Sequence, residues 1–118
     1  MRPMERGSSF VLRNIYFELD KSELLMQSTQ ELKALYEVLQ TNAELQATII
    51  GHTDDQGTAG YNQRLSLERA EAVVSYLRDL GIDSSRLQAE GKGMREPISS
   101  NDTEAGRAKN RRTEVLLR

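Results

Sequence analysis

Apolar and polar positions along this chain follow two rhythms, one of period two and one near 3.6, and the switches between them mark out seven elements. Phe10 to Leu19 mixes aromatic and β-branched residues, with Ile15 and Phe17 on one face and Asn14, Tyr16 and Glu18 on the other, which predicts a first strand. Ser28 followed by Glu31 forms a capping box, after which Leu32, Leu35, Tyr36 and Leu39 recur at helical spacing to about Thr41. Leu45, Ala47 and Ile49 then alternate with Gln46, Thr48 and Ile50, a strand that ends at Gly51. From Asn62, whose amide can cap a first turn, Leu65, Ala70, Val73, Val74 and Leu77 form one stripe up to Leu80. Gly81 followed by Ile82 is a Schellman pattern that closes this second helix. Leu87, Ala89 and Gly91 predict a short third strand, and Glu96-Pro97 stops any helix there. Asn101, Asp102 and Thr103 offer caps for a short third helix through about Asn110, and Thr113, Val115 and Leu117 predict a terminal strand.

The order βαβαβαβ implies a sheet covered by helices on at least one face. The expected class is α+β, an α/β-type two-layer sandwich in which two main helices pack on a mixed four-stranded sheet. The first three strands can pair in parallel through right-handed crossovers, while the last can enter in either direction. Met1 to Ser9 is expected to be a flexible arm or remnant ahead of one domain over residues 10–118.

Composition narrows the function classes. With 118 residues the chain can bury one core without disulfides or metal. Its 16 basic and 18 acidic side chains leave a formal charge of −2, which gives nucleic acid and anionic lipid no field to follow. There is no cysteine, so thiol catalysis and thiolate metal sites are excluded, whereas the compartment stays open. No segment approaches the roughly 20 apolar residues of a membrane span, and the start holds no signal peptide. If the chain is exported, it is expected to have lost its leader or to be a piece of something longer.

Candidate chemistry concentrates in Gly51 to Ala70, GHTDDQGTAGYNQRLSLERA, where a strand end, a glycine-rich loop and a helix start meet. Asp54 can take an ammonium and Arg69 can fork onto a carboxylate, which together describe a receptor for a free amino-acid end. The plainer alternative is a structural salt bridge between loop and helix. Three glycines in the connection and the polar tips of Tyr61, Asn62 and Ser66 favour a site, since Asn62, Ser66 and Arg69 share one helical face. His52 is the single histidine; His52, Asp54 and Asp55 form a weak metal set, and a hydrogen bond from His52 to a neighbouring strand is the preferred reading. Adjacent Asp54 and Asp55 diverge too much to flank one scissile bond, so no catalytic residue, metal or cofactor is expected. Arg107, Lys109, Arg111 and Arg112 suggest either phosphate binding or a solvated helix flank, the flank being the preferred reading for Lys109, while Arg112 can reach Asp20 or Asp54 from the sheet rim.

The segment GHTDDQGTAGYNQRLSLERAEAVVSYLRDLGI, preceded by NIYFELDKSEL and followed by GKGMREPISSNDTEAGRAKNRRTEV, closely resembles the OmpA-like C-terminal domain over about Phe10 to Leu117. The resemblance implies a periplasmic, non-catalytic module that binds peptidoglycan through the meso-diaminopimelate of its stem peptide. It also implies a parent envelope protein associated with the outer membrane through other parts. On the matching positions, Asp54 is implied to hold the diaminopimelate ammonium and Arg69 its carboxylate. Thr53, Asn62, Leu65 and Ser66 are implied to shape the pocket, with Arg112 bordering it and Asp20 lining it or tying it to Arg112. Strand one departs from the family pattern at Glu18 and Leu19, which stand where many relatives carry an aspartate and an aromatic. A reading from another class is a protein-interaction or assembly domain of the envelope whose pocket has lapsed, and oligomeric state is open.

Overall fold

The computed structural model describes residues 9–12 and 29–118. The expected arm up to Ser8, positions 13–19 of the expected first strand, Asp20 and the Ser28 cap lie outside the described residues. The described residues include three α-helices: α1 (Thr29–Thr41), α2 (Ala59–Asp79) and α3 (Glu104–Asn110). The strands are β1 (Ser9–Leu12), β2 (Ala47–Gly51), β3 (Leu87–Gly91) and β4 (Thr113–Leu117).

Sheet topology corrects the expected fold class. A three-stranded mixed body, β4-β2-β3, carries β2 and β3 in parallel and β4 antiparallel to β2. The four residues of β1 border β4, antiparallel, so the full order is β1-β4-β2-β3. Three helices, the short α3 included, stand where the expected class counted two main ones, and β1 does not pair with β2, because β4 lies between them. Period-two alternation fixes which face of a strand is buried but says nothing about its neighbour. β4 takes the interior place because both its edges find partners, Leu116 standing opposite Ser9 on one side and Thr48 on the other.

The core follows the predicted stripes. Leu32, Leu35 and Leu39 of α1 meet Val73 and Leu77 of α2 over Ala47 and Ile49 of β2 and Val115 and Leu117 of β4. Thr113, Val115 and Leu117 are the buried positions of β4, as their alternation requires. The carbonyls at the end of α1 are met by side chains, that of Val38 by Asn42 Nδ2 at 2.8 Å. Arg86 donates to the carbonyls of Leu39, Asn42 and Leu45 at 2.7, 2.9 and 2.9 Å, where a cation also complements the helix dipole.

Both ends of α2 are set locally. It begins earlier than expected, because Thr58 caps it by accepting from the Tyr61 N–H, and Asn62 is left for another task. At its far end the Gly81 N–H reaches the Arg78 carbonyl and the Ile82 N–H reaches that of Leu77. Gly81 at φ 116° supplies the left-handed turn of this Schellman closure. Between those ends α2 approaches the sheet very closely. A Cβ on Gly51 would run into the Ser66 carbonyl, and one on Gly91 would lie 2.6 Å from the Leu67 nitrogen.

Gly51→Ala should therefore lower stability by about 2–3 kcal/mol, since the backbone of α2 must move. Gly60→Ala, where nothing lies within 4 Å, should raise it by about 0.5–1 kcal/mol through helix propensity. Urea unfolding of the two variants beside the parent measures both signs.

Candidate functional site

The site grows from the point where β2 runs out. After Gly51 the chain keeps three consecutive side chains buried, His52, Thr53 and Asp54, before it surfaces at Asp55. Burying polar groups costs free energy unless each is hydrogen-bonded, and here the bonds come from three directions. The Thr53 N–H donates to the Gly93 carbonyl at 2.9 Å, while the Gly93 N–H donates to Ser66 Oγ at 2.9 Å. Thr53 and Ser66 are thus clamped to the same turn after β3.

Asn62, 2% exposed, points its Nδ2 at the Gln56 carbonyl at 2.8 Å. The Gln56 N–H in turn donates to Asp54 Oδ1 at 3.0 Å. Through Gln56 the amide of Asn62 therefore shapes the loop that aims Asp54. Leu65 is buried but stands apart from the main core cluster, on the face of α2 it shares with Asn62, Ser66 and half-buried Arg69.

Asp54 Oδ2 meets Arg111 Nη1 at 2.6 Å, and Arg111 Nη2 meets Glu104 Oε2 of α3 at 2.6 Å. The hydrogen bond from Arg111 and its positive charge hold the exposed Glu104 carboxyl below the ordinary range, and Glu104 above all raises Arg111 in return. Arg112, expected at this position, instead turns to the other side. It is buried, with Nε 3.1 Å from Glu114 Oε2 and Nη2 donating to the Glu96 carbonyl at 3.0 Å. Lys109 is exposed, but Arg107 bonds Glu104 and the Asn101 carbonyl. Sequence reasoning did not single out Gln56 or Glu104, gave Gly93 to a turn and left the roles of Arg111 and Arg112 undivided. Arg111 lies 57 positions from Asp54 and just ahead of β4, where strand alternation does not yet orient side chains.

The OmpA family model matches residues 16–111. The chain belongs to the OmpA family. It is 43% identical over 103 residues to outer membrane protein A of Bordetella avium, which covers 86% of this chain and 53% of that protein. It is 36% identical over 124 residues to photosystem I P700 chlorophyll a apoprotein A2 of Gloeobacter violaceus, covering 99% of this chain and 14% of that protein. Among solved structures, the peptidoglycan-associated lipoprotein of Burkholderia pseudomallei superposes with a TM-score of 0.82 at 31% identity over 88% of each chain. The chain spans about half or less of the curated relatives it matches here. This OmpA-family domain is a non-catalytic module of the periplasm, linked to the cell envelope. No described helix is long and apolar enough to cross a membrane.

Beside Asp54 the OmpA-family domain carries a second polar network, which fulfils the preferred reading of His52. Its Nε2 lies 2.8 Å from Glu114 Oε1 on β4, and its backbone N–H donates to the Arg112 carbonyl at 2.9 Å. A carboxylate only accepts, so Nε2 carries the proton and Nδ1 of the neutral ring is left as an acceptor. That Nδ1 is buried and has no hydrogen-bond partner. Charging the ring would place an unpaired N–H in the interior. Burial accordingly lowers the His52 pKa, against the bond to Glu114, and the positive charge of Arg112 works in the same direction as burial. Burial favours neutral Glu114, but its hydrogen bonds with His52 and Arg112 outweigh this and lower its pKa.

Acidification should expose the difference between these groups. Below the ordinary 6.5 of histidine the unfolded chain takes a proton that folded His52 refuses, so stability falls as pH drops from 6.5 toward the lowered folded value. Glu104 and Glu114, whose ordinary value is 4.5, begin to withdraw stability only below that pH. His52→Gln keeps a donor for Glu114 and should flatten the slope between pH 6.5 and 5 while leaving the steeper loss below 4.5. Thermal melts of both proteins across that range test it.

Proposed function

We propose that this domain anchors its parent protein to the cell wall by binding peptidoglycan non-covalently, through the meso-diaminopimelate of the stem peptide. The side-chain end of diaminopimelate carries an ammonium and a carboxylate on one carbon. Asp54 takes the ammonium and Arg69 forks onto the carboxylate, while Thr53, Asn62, Leu65 and Ser66 form the walls. The observation that carries this reading is Asp54 itself, a buried carboxylate in a glycine-rich loop whose two oxygens are already fixed by Gln56 and Arg111. A zwitterion is strongly hydrated, and an exposed pair of charges gains little from it. Charges organised before the ligand arrives avoid part of the ordering cost.

The peptidoglycan-associated lipoprotein of Burkholderia pseudomallei, similar over most of both chains, supports the polymer class. Charge-assisted hydrogen bonds of roughly 1.5–3 kcal/mol each suffice for affinity on the order of micromolar. A wall presents many copies of the same end, so a tethered domain gains further by avidity. Asp20 and Arg112 enter this proposal differently: Asp20 as a lining residue of the pocket, Arg112 only through its hold on Glu114 and the Glu96 carbonyl.

Calorimetric titration with a stem peptide containing meso-diaminopimelate, beside its lysine-containing equivalent, checks the proposal. Lysine keeps the ammonium but lacks the neighbouring carboxylate, so its peptide should bind at least about tenfold more weakly. Asp54→Ala and Arg69→Ala, each folded, should abolish detectable binding of the diaminopimelate peptide. Equal binding of both peptides, or binding indifferent to both substitutions, would assign the domain to protein docking.

A further inference from the structure

A carboxylate held as deeply as Asp54, with its side chain 9% exposed, has surrendered most of its hydration and depends on its donors. The Gln56 N–H fixes Oδ1 from within the same loop, which leaves the rotation of the carboxylate plane to whatever grips Oδ2. Arg111 grips it, and Arg111 is itself gripped. Its planar fork spans from Asp54 to Glu104 with 2.6 Å at each end, a geometry a lysine ammonium cannot copy as a rigid bridge. Glu104 sits in the first turn of α3, next to the Thr103 cap, so the loop after β2 is tied to a helix more than forty positions away.

Charge decides what the bridge can do. Arg107 also meets Glu104, at 3.3 Å, so two carboxylates face two guanidiniums and the cluster is neutral as a whole; Arg111 shares its charge between Asp54 and Glu104, and what it gives Asp54 is orientation. Each carboxylate oxygen can accept two hydrogen bonds, and Oδ2 with one bond from Arg111 keeps a second acceptor direction. Arg112 cannot replace its neighbour, being committed to Glu114 and the Glu96 carbonyl.

We infer that Arg111 is a positioning residue for ligand binding: it sets the Asp54 carboxylate as an ammonium acceptor and is itself set by Glu104, which makes α3 part of the site without touching the ligand. This rests on the proposed role of Asp54. It predicts that the benefit of Arg111 appears only toward a ligand that carries the ammonium.

The test titrates parent, Arg111→Ala, Arg111→Lys, Glu104→Gln and Asp54→Ala with the meso-diaminopimelate stem peptide and with the same peptide acetylated on its side-chain amine. Arg111→Ala should weaken the free-amine peptide about tenfold, the worth of one charge-assisted contact, and leave the acetylated peptide unchanged. Arg111→Lys should recover part of the loss, and Glu104→Gln should show a smaller one. In the ligand-free protein the Gln56 amide resonance, which reports where Asp54 Oδ1 sits, should move in Arg111→Ala. Unchanged or tighter binding by Arg111→Ala with an unmoved Gln56 amide would overturn the inference, as would an equal loss for both peptides. Should Arg111→Ala fail to fold, Arg111→Lys and Glu104→Gln decide, and the inference falls if neither alters the discrimination between the peptides. An Asp54→Ala variant that binds normally would instead sink the underlying reading of the site.

Discussion

The seating of α2 on the ends of β2 and β3 is the constraint on which the rest depends. At Gly51 and Gly91 the helix backbone comes where a side chain would stand, and Ser66 fills the junction by donating to the Gln63 carbonyl while accepting from Gly93. Packed interiors tolerate little extra volume, so these two glycines fix the height of α2 above the sheet. That height places the Asn62, Leu65, Ser66 and Arg69 face beside the loop that carries Asp54. A site built this way inherits its rigidity from backbone contact instead of from long side chains.

Polar groups at the same end of the sheet are sorted into two chains by a pair of adjacent arginines. Arg111 runs outward to Asp54 and Glu104, and Arg112 runs inward to Glu114, with His52 on the far side of that carboxylate. One network is half open, with Arg111 and Glu104 reaching solvent, which suits recognition. Its neighbour is buried and paired, apart from His52 Nδ1, and stitches β2 to β4 where their ladder ends. Removing one partner from a buried pair is costly, so the inner chain resists change while the outer one can respond to a ligand.

Much of this was legible from residues alone, and the gaps have physical causes. The periodic stripes of α1, α2 and β4 and the glycine closing α2 were readable because each is decided within a few positions. The start of α2 was misplaced because Thr58 and Asn62 are both good caps, and only the structure shows the amide of Asn62 reaching the Gln56 carbonyl. Strand partners were unreadable, since nothing in the alternation of Thr113, Val115 and Leu117 says that β4 enters the interior of the sheet antiparallel. Which of Arg111 and Arg112 meets Asp54 was unreadable for a related reason: a short helix ends and a strand begins around them, and neither rhythm governs the joint. A hydrogen bond from His52 to a neighbouring strand, which is β4, was expected from the scarcity of other ligands, whereas the bonds of Arg86 at the end of α1 left no local trace.

The order β1-β4-β2-β3 also carries a consequence for how the chain acquires its shape. The strand nearest the start has the strand nearest the end as its neighbour, and that late strand also separates it from β2. The parallel β2-β3 pair lies under α2, but the sheet is complete only when β4 takes its place between β1 and β2. Pairing across such long sequence separations is entropically expensive and slow, and it yields its free energy only at closure. Closure of this sheet is in that sense a single event, in which the placing of β4 decides whether the ordering of the other strands is repaid.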